Sequence, residues 1–233
     1  MTIDLSYFDR WIIAPYAICL FGSVLIGLAY IAVRLKHSGI KTEYTMYILF
    51  LELISILLCG NFLASVMQQK TPREAGFTSL GGAAGMLFGG WLNNVIFKEK
   101  RTEITETCVT ALPLIYSIAK LGCLFGGCCG GLPYTGPFAV RYLRNGQIVQ
   151  ADSIPVQLIE TVVFLLLFLA FLRWKNKIGA AQMIILCSVA KLLTDFLRDV
   201  HKDTVISPNQ VGCVVVIVAA ALICVRKRRR CVA

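Results

Sequence analysis

Charge is scarce in this chain. Only 15% of its 233 residues are charged, 57% are hydrophobic, and mean hydropathy is +0.72. That excludes an ordinary soluble domain, in which about 45–50% of residues are apolar. Histidine is nearly missing: His37 and His201 are the two in the sequence, so imidazole chemistry has few places to sit. The run GGCCGG (126–131) has no Lys-Ser or Lys-Thr after it and no strand pattern before it. That excludes a nucleotide-binding phosphate loop. No C-x-x-C pair occurs, which argues against thiol–disulfide exchange of the usual kind. Heptads, solenoid repeats and low-complexity linkers are also missing.

What the chain has instead is long apolar runs. A bilayer crossing takes roughly 20 apolar residues, and seven segments are candidates: 11–33, 47–67, 80–97, 105–123, 156–172, 180–197 and 211–225. Asp4 and Asp9, not a basic cluster, precede the first, and it is too long for the apolar core of a cleavable leader. The expectation is an all-α integral membrane protein of about seven transmembrane helices, forming a single polytopic domain over 1–233.

Basic residues orient it. Arg34, Lys36 and Lys41 follow the first run; Lys98, Lys100 and Arg101 the third; Arg173, Lys175 and Lys177 the fifth. Arg226, Lys227, Arg228, Arg229 and Arg230 follow the seventh. With seven spans all four clusters fall on one face, and positive loops stay in the cytoplasm. The expected topology has the N-terminus outside and the C-terminus cytoplasmic. The net charge of +10 then reads as a topology signal with attraction to anionic lipid, and no nucleic-acid partner is expected.

On this topology the stretch 125–155 lies on the outer face as an extracytoplasmic loop or hairpin insert. AVRYLRNGQIVQAD reads as two short strands around Asn145-Gly146, a pair that tolerates the positive φ of a tight hairpin turn. Charged residues within the runs are costly at mid-bilayer, about 2.5–3.5 kcal/mol each, and so mark protein-facing or wet positions. Glu52, Lys120, Glu160, Lys191 and Asp195 are of this kind, with Gln157 beside Glu160 on one helical face and Arg198 at the outer end of the sixth run. Lys191 and Asp195, at i and i+4, are spaced to pair. Lys120 and Arg198 fall at one depth and repel unless an anion lies between them, and arginine holds a phosphate through two bonds.

At these residues the chain resembles the prolipoprotein diacylglyceryl transferases. TSLGGAAG (78–85) is similar to the family's glycine-glycine segment. KLGCLFGGCCGG (120–131) resembles the signature Gly-Arg-x-Gly-Asn-Phe-x-Asn-Gly-Glu-x-x-Gly, and IPVQLIE (154–160) resembles His-Pro-Ser-Gln-Leu-Tyr-Glu. DFLRDV (195–200) with SPNQ (207–210) resembles the closing Glu-Phe-Phe-Arg and Ser-Met-Gly-Gln segments. The likeness covers roughly 78–225. It implies transfer of a diacylglyceryl group from phosphatidylglycerol to the lipobox cysteine thiol of a secreted lipoprotein precursor, at a bacterial plasma membrane and without a cofactor.

The resemblance also implies roles. Arg198, Lys120 and Glu160 would be catalytic, the first two holding phosphate. Gly81, Gly82, Gly122, Gly127, Gly131, Arg141, Gln157 and Gln210 would bind substrate. Departures are plain: Cys123 stands at the signature's first asparagine, Cys128 near its glutamate, Leu80 before the double glycine, and Ile154 at the histidine. His201, near Arg198, is a candidate base, while His37 falls on the cytoplasmic side.

Cys123, Cys128 and Cys129 form a C-x₄-C-C cluster open to several readings: small-residue packing, a disulfide, a catalytic thiol, or part of a zinc site. No fourth ligand stands at a usual spacing, so no metal is assigned. A solute or lipid transporter, or a thiol-redox membrane protein using these cysteines, are the competing functions.

Overall fold

The computed structural model describes residues 1–9, 14–174 and 177–232. Trp11, which opens the first expected run, and Lys175 of the third basic cluster lie outside the described residues, as do the side chains of Lys227, Arg228, Arg229 and Arg230. The described chain is mostly helical. A short strand β1 (Thr2–Asp4) and one turn of helix α1 (Ser6–Asp9) precede α2 (Pro15–His37), α3 (Thr42–Gln68), α4 (Ser79–Ile96) and α5 (Arg101–Phe125). Strands β2 (Val140–Arg144) and β3 (Gln147–Ser153) come next, followed by α6 (Val156–Trp174), α7 (Ala180–Asp195) and α8 (Pro208–Val232). Five stretches are long and apolar enough to cross a membrane: Pro15–His37, Thr42–Gln68, Lys98–Phe125, Val156–Trp174 and Pro208–Arg226. The remaining long helices, α4 and α7, coincide with the third and sixth apolar runs, but α4 is glycine-rich and ends near Asn93 and Asn94, and α7 has only 16 residues.

Small residues set the packing. Gly81, Gly85 and Gly89 recur every fourth position on α4 and face α3. A Cβ at Gly81 would come within 2.5 Å of the Cys59 carbonyl oxygen, one at Gly85 within 2.8 Å of the Ile56 Cα, and one at Gly89 within 2.8 Å of the Glu52 carboxylate. Without a strong hydrophobic drive between helices in lipid, such close backbone approach supplies the attraction. Glu52 itself is fully buried and accepts a bond from the Asn93 amide at 3.2 Å. That places it between α3 and α4, apart from the other buried charges. Gly122 on α5 meets α2 in the same manner: a Cβ there would come within 3.1 Å of the Tyr16 carbonyl oxygen.

Asn145 and Gly146 both take positive φ, +52° and +76°, and turn β2 into an antiparallel pairing with β3. The sequence does not show that β1 completes this sheet, pairing in parallel with β2 so that Ile3 lies opposite Tyr142. Ile3, Leu5, Leu124, Val140 and Tyr142 close a small apolar core beneath it. This core fixes the sheet over the end of α5. The N-terminal strand, the hairpin, the last turn of α5, the first turn of α6, the last turn of α7 and the first turn of α8 therefore gather at one end of the helical body.

Candidate active site

Three helix ends bring buried charges together here. Lys120, on the last turns of α5, lies 2.7 Å from Glu160 on α6. Lys191 on α7 lies 2.5 Å from the other oxygen of Glu160 and 3.1 Å from Asp195. Arg198, just after α7, reaches Asp195 at 3.4 Å. Asp195 also accepts bonds from the Ser207 hydroxyl and, at 3.2 Å, from the Asn209 amide. Glu160 also accepts bonds from the Thr194 hydroxyl at 3.2 Å and from the Tyr116 hydroxyl at 3.4 Å, and the Tyr116 ring lies 5.2 Å from the Lys120 ammonium. Three cations, Lys120, Lys191 and Arg198, face two carboxylates, Glu160 and Asp195. Arg198 Nε is buried and has no hydrogen-bond partner among the described residues.

The expectation that Lys120 and Arg198 repel until an anion separates them is corrected by this geometry. Glu160 already neutralises Lys120, and Asp195 shares Arg198 with Lys191. Arg198 carries the exposed edge of this network. Burial works against the Arg198 cation, but the nearby Cys129 and Asp195 charges more than offset it and hold its pKa above the usual arginine value.

A cavity of about 610 Å³ runs up to this cluster. Its polar end is lined by Tyr116, Lys120, Arg198, Asn209 and the three cysteines, and its body by apolar groups such as Leu20, Ile56, Phe77 and Leu80. A smaller cavity of about 90 Å³ between α4, α5, α7 and α8, with Phe164 of α6 at its side, shares the walls Leu80, Ala83, Leu112 and Tyr116.

The loop after α5 carries the thiols. Gly127, at φ +63°, reverses the chain, and a Cβ there would meet Leu5 at 2.9 Å. Gln157 on α6 donates to the Cys128 carbonyl at 2.7 Å. The Asp199 amide donates to Gly130 at 3.1 Å, and the Leu132 amide to Leu197 at 2.9 Å, so Gly131 and Arg198 sit opposite each other in a short antiparallel bridge. Cys123, Cys128 and Cys129 are free and half-buried. Thiol hydrogen bonds from Cys123 and Cys128, helped by Lys120 and Arg198, push Cys129 far below the ordinary thiol range. Those same bonds push Cys128 up.

The other expected residues divide. Gly82 lines the cavity, whereas Gly81, Gly122 and Gly131 are places of close backbone approach. Gln210 caps α8: its side chain accepts from the Ser207 amide and its own amide donates to the Ser207 hydroxyl, both at 3.1 Å. This is the Ser-x-x-Gln capping box, legible in SPNQ and overlooked there. Arg141 pairs with Asp152 across the hairpin and lies outside the lining of the large cavity, which Arg144 joins instead. His201 stacks on Phe196 and sits 3.7 Å from Asp195, behind the network. Tyr116 and Asn209 were missed. The signal for Tyr116 was its position four residues before Lys120, on one helical face.

The profile of a family described as prolipoprotein diacylglyceryl transferase matches residues 5–226. A relative from Clostridium perfringens (strain 13 / Type A), named phosphatidylglycerol–prolipoprotein diacylglyceryl transferase 2, is 27% identical over 211 residues, covering 78% of this chain and 79% of its own.

Proposed function

We propose that this chain, which belongs to the prolipoprotein diacylglyceryl transferase family, moves a diacylglyceryl group from phosphatidylglycerol to a cysteine thiol of a lipoprotein precursor. The single observation that carries this reading is the Arg198 guanidinium, its buried Nε without a hydrogen-bond partner among the described residues, at the polar end of a mostly apolar cavity. A phosphodiester satisfies that guanidinium, and the apolar body accepts its acyl chains. Charge develops on the phosphate oxygen as the glyceryl C–O bond breaks, and fixed cations stabilise it best when they need no reorganisation. Glu160 and Asp195 hold Lys120, Lys191 and Arg198 in place for that task. Family membership does not favour the transporter and thiol-redox readings.

The substrate roles of Gly82, Gln157 and Tyr116, the seven-span count with the N-terminus outside, and the 125–155 segment facing outward belong to this same proposal. The parallel pairing of β1 with β2 supports it, because it holds the N-terminus and the hairpin on one side. A plasma-membrane enzyme acting on exported peptides needs its site there. The test is release of glycerol phosphate from phosphatidylglycerol by the detergent-purified chain. Release that depends on an added cysteine peptide supports the reading; no release under any acceptor sinks it.

A further inference from the structure

We propose that Cys123, Cys128 and Cys129 form a three-thiolate site for one zinc ion, whose fourth position opens on the cavity and takes the thiol of the acceptor. Their sulfur atoms all lie within 4.8 Å of one another, and all three residues line the large cavity. Tetrahedral zinc with Zn–S of about 2.3 Å places its sulfurs roughly 3.8 Å apart, so small side-chain rotations close the site. Spacing argued against a metal because a fourth protein ligand is missing. Three protein ligands and an open place are, however, the pattern of zinc sites that act on a bound molecule. Thiolate donors with no carboxylate or imidazole among them favour zinc over harder cations.

The backbone is built to bring these sulfurs together. Adjacent residues in extended chain point to opposite sides, yet the sulfurs of Cys128 and Cys129 converge. Cys129 does this in the left-handed region, at φ +60°, a conformation unfavourable for a non-glycine residue that persists only where the surroundings hold it. The loop is held: the Cys128 amide donates to the Cys123 carbonyl at 3.2 Å, Asp199 fastens Gly130, and Gln157 fastens the Cys128 carbonyl. A disulfide between neighbours Cys128 and Cys129 would be strained.

The chemistry balances without a redox partner. The acceptor thiol takes the open position and is deprotonated there, because metal coordination favours thiolate. Its sulfur attacks the glyceryl carbon that bears the phosphate, the C–S bond forms, and the C–O bond breaks. The electron pair goes to the leaving glycerol phosphate, which also takes up the thiol proton. This acceptor role rests on the transferase reading; the metal site does not.

Cobalt(II) titration of the detergent-purified full chain tests it. The expected result is a saturable sulfur-to-cobalt charge-transfer band with the d–d bands of a tetrahedral ion, at about one ion per chain, and zinc as the bound metal in protein isolated without cobalt. Cys123→Ser and Cys128→Ser should each weaken binding by more than about a hundredfold, beyond the loss typical of an outer-shell change. A cysteine-containing lipobox peptide should shift the d–d bands where its serine counterpart does not. No saturable band, equal binding by the variants, or a disulfide among the three thiols would overturn the site. A saturable band without phosphatidylglycerol turnover would sink the transferase reading and leave the metal site standing. Full turnover by metal-free protein would remove the metal's role and leave the transferase.

Discussion

Lys120 and Glu160 meet at 2.7 Å with side chains 2% and 1% exposed, which makes this pair the centre of the charged cluster. Removing one partner of a buried pair typically costs about 3–5 kcal/mol, because the other charge is stranded. Glu160 also holds Lys191. Glu160→Leu should therefore lower the melting temperature in detergent more than Lys120→Met, which leaves Glu160 a second partner. The double variant should be more stable than the sum of the single losses predicts. Strict additivity would show that the two side chains do not interact.

Arg198 should behave differently, since the role proposed for it lies in binding and turnover. Losing a charge-assisted contact costs about 1.5–3 kcal/mol, so Arg198→Ala should slow turnover at least about tenfold while the protein still melts cooperatively. Arg198→Lys should recover only part, since the fork that grips two phosphate oxygens is gone. Steady-state rates across a phosphatidylglycerol series check this. Unchanged rates in Arg198→Ala would take the residue out of the site.

Much of this arrangement was legible. Lys120, Glu160, Lys191, Asp195 and Arg198 stand out because charge in an apolar run demands a partner, and they do converge. Asn145-Gly146 announces its turn by chemistry local to two residues. Which charge pairs with which is not legible, because that depends on the register between helices, and the Lys120–Glu160 pair leaves no local signal. Pairing of β1 with a strand about 140 residues away leaves no local signal at all. The capping box of Ser207 with Gln210 is local chemistry three residues apart and is legible in SPNQ.

The Arg141–Asp152 pair of the hairpin predicts a pH effect. The hydrogen bond from Arg141 holds the Asp152 carboxyl below its ordinary value. A depressed carboxylate pKa adds stability that is present above the ordinary carboxylate value, near pH 4, and is lost as pH falls through the depressed value. The hairpin should loosen below about pH 4, seen as faster hydrogen exchange in 140–153, and Arg141→Gln should flatten that dependence. The pair is largely exposed, so the effect should be small and should shrink further in salt. An identical acid profile in Arg141→Gln would dismiss the pair as a stabiliser.

Leu80 tests the cavity. It lines both cavities at their shared wall, and a Cβ at Gly212 would already touch it at 3.2 Å. Leu80→Trp should fill the space for acyl chains and lower turnover of long-chain phosphatidylglycerol more than that of a short-chain donor. Equal loss on both donors would place the acyl chains elsewhere.

Mass spectrometry of a lipobox peptide incubated with phosphatidylglycerol and the purified chain tests the central claim most directly. The account predicts a peptide gaining one diacylglyceryl group on its cysteine, an equal yield of glycerol phosphate, and no product from the serine peptide. It also predicts at least about tenfold slower formation with Arg198→Ala, the loss expected when a transition-state cation is removed. Phosphatidylglycerol left intact in the presence of a folded chain and every thiol acceptor tried would contradict it.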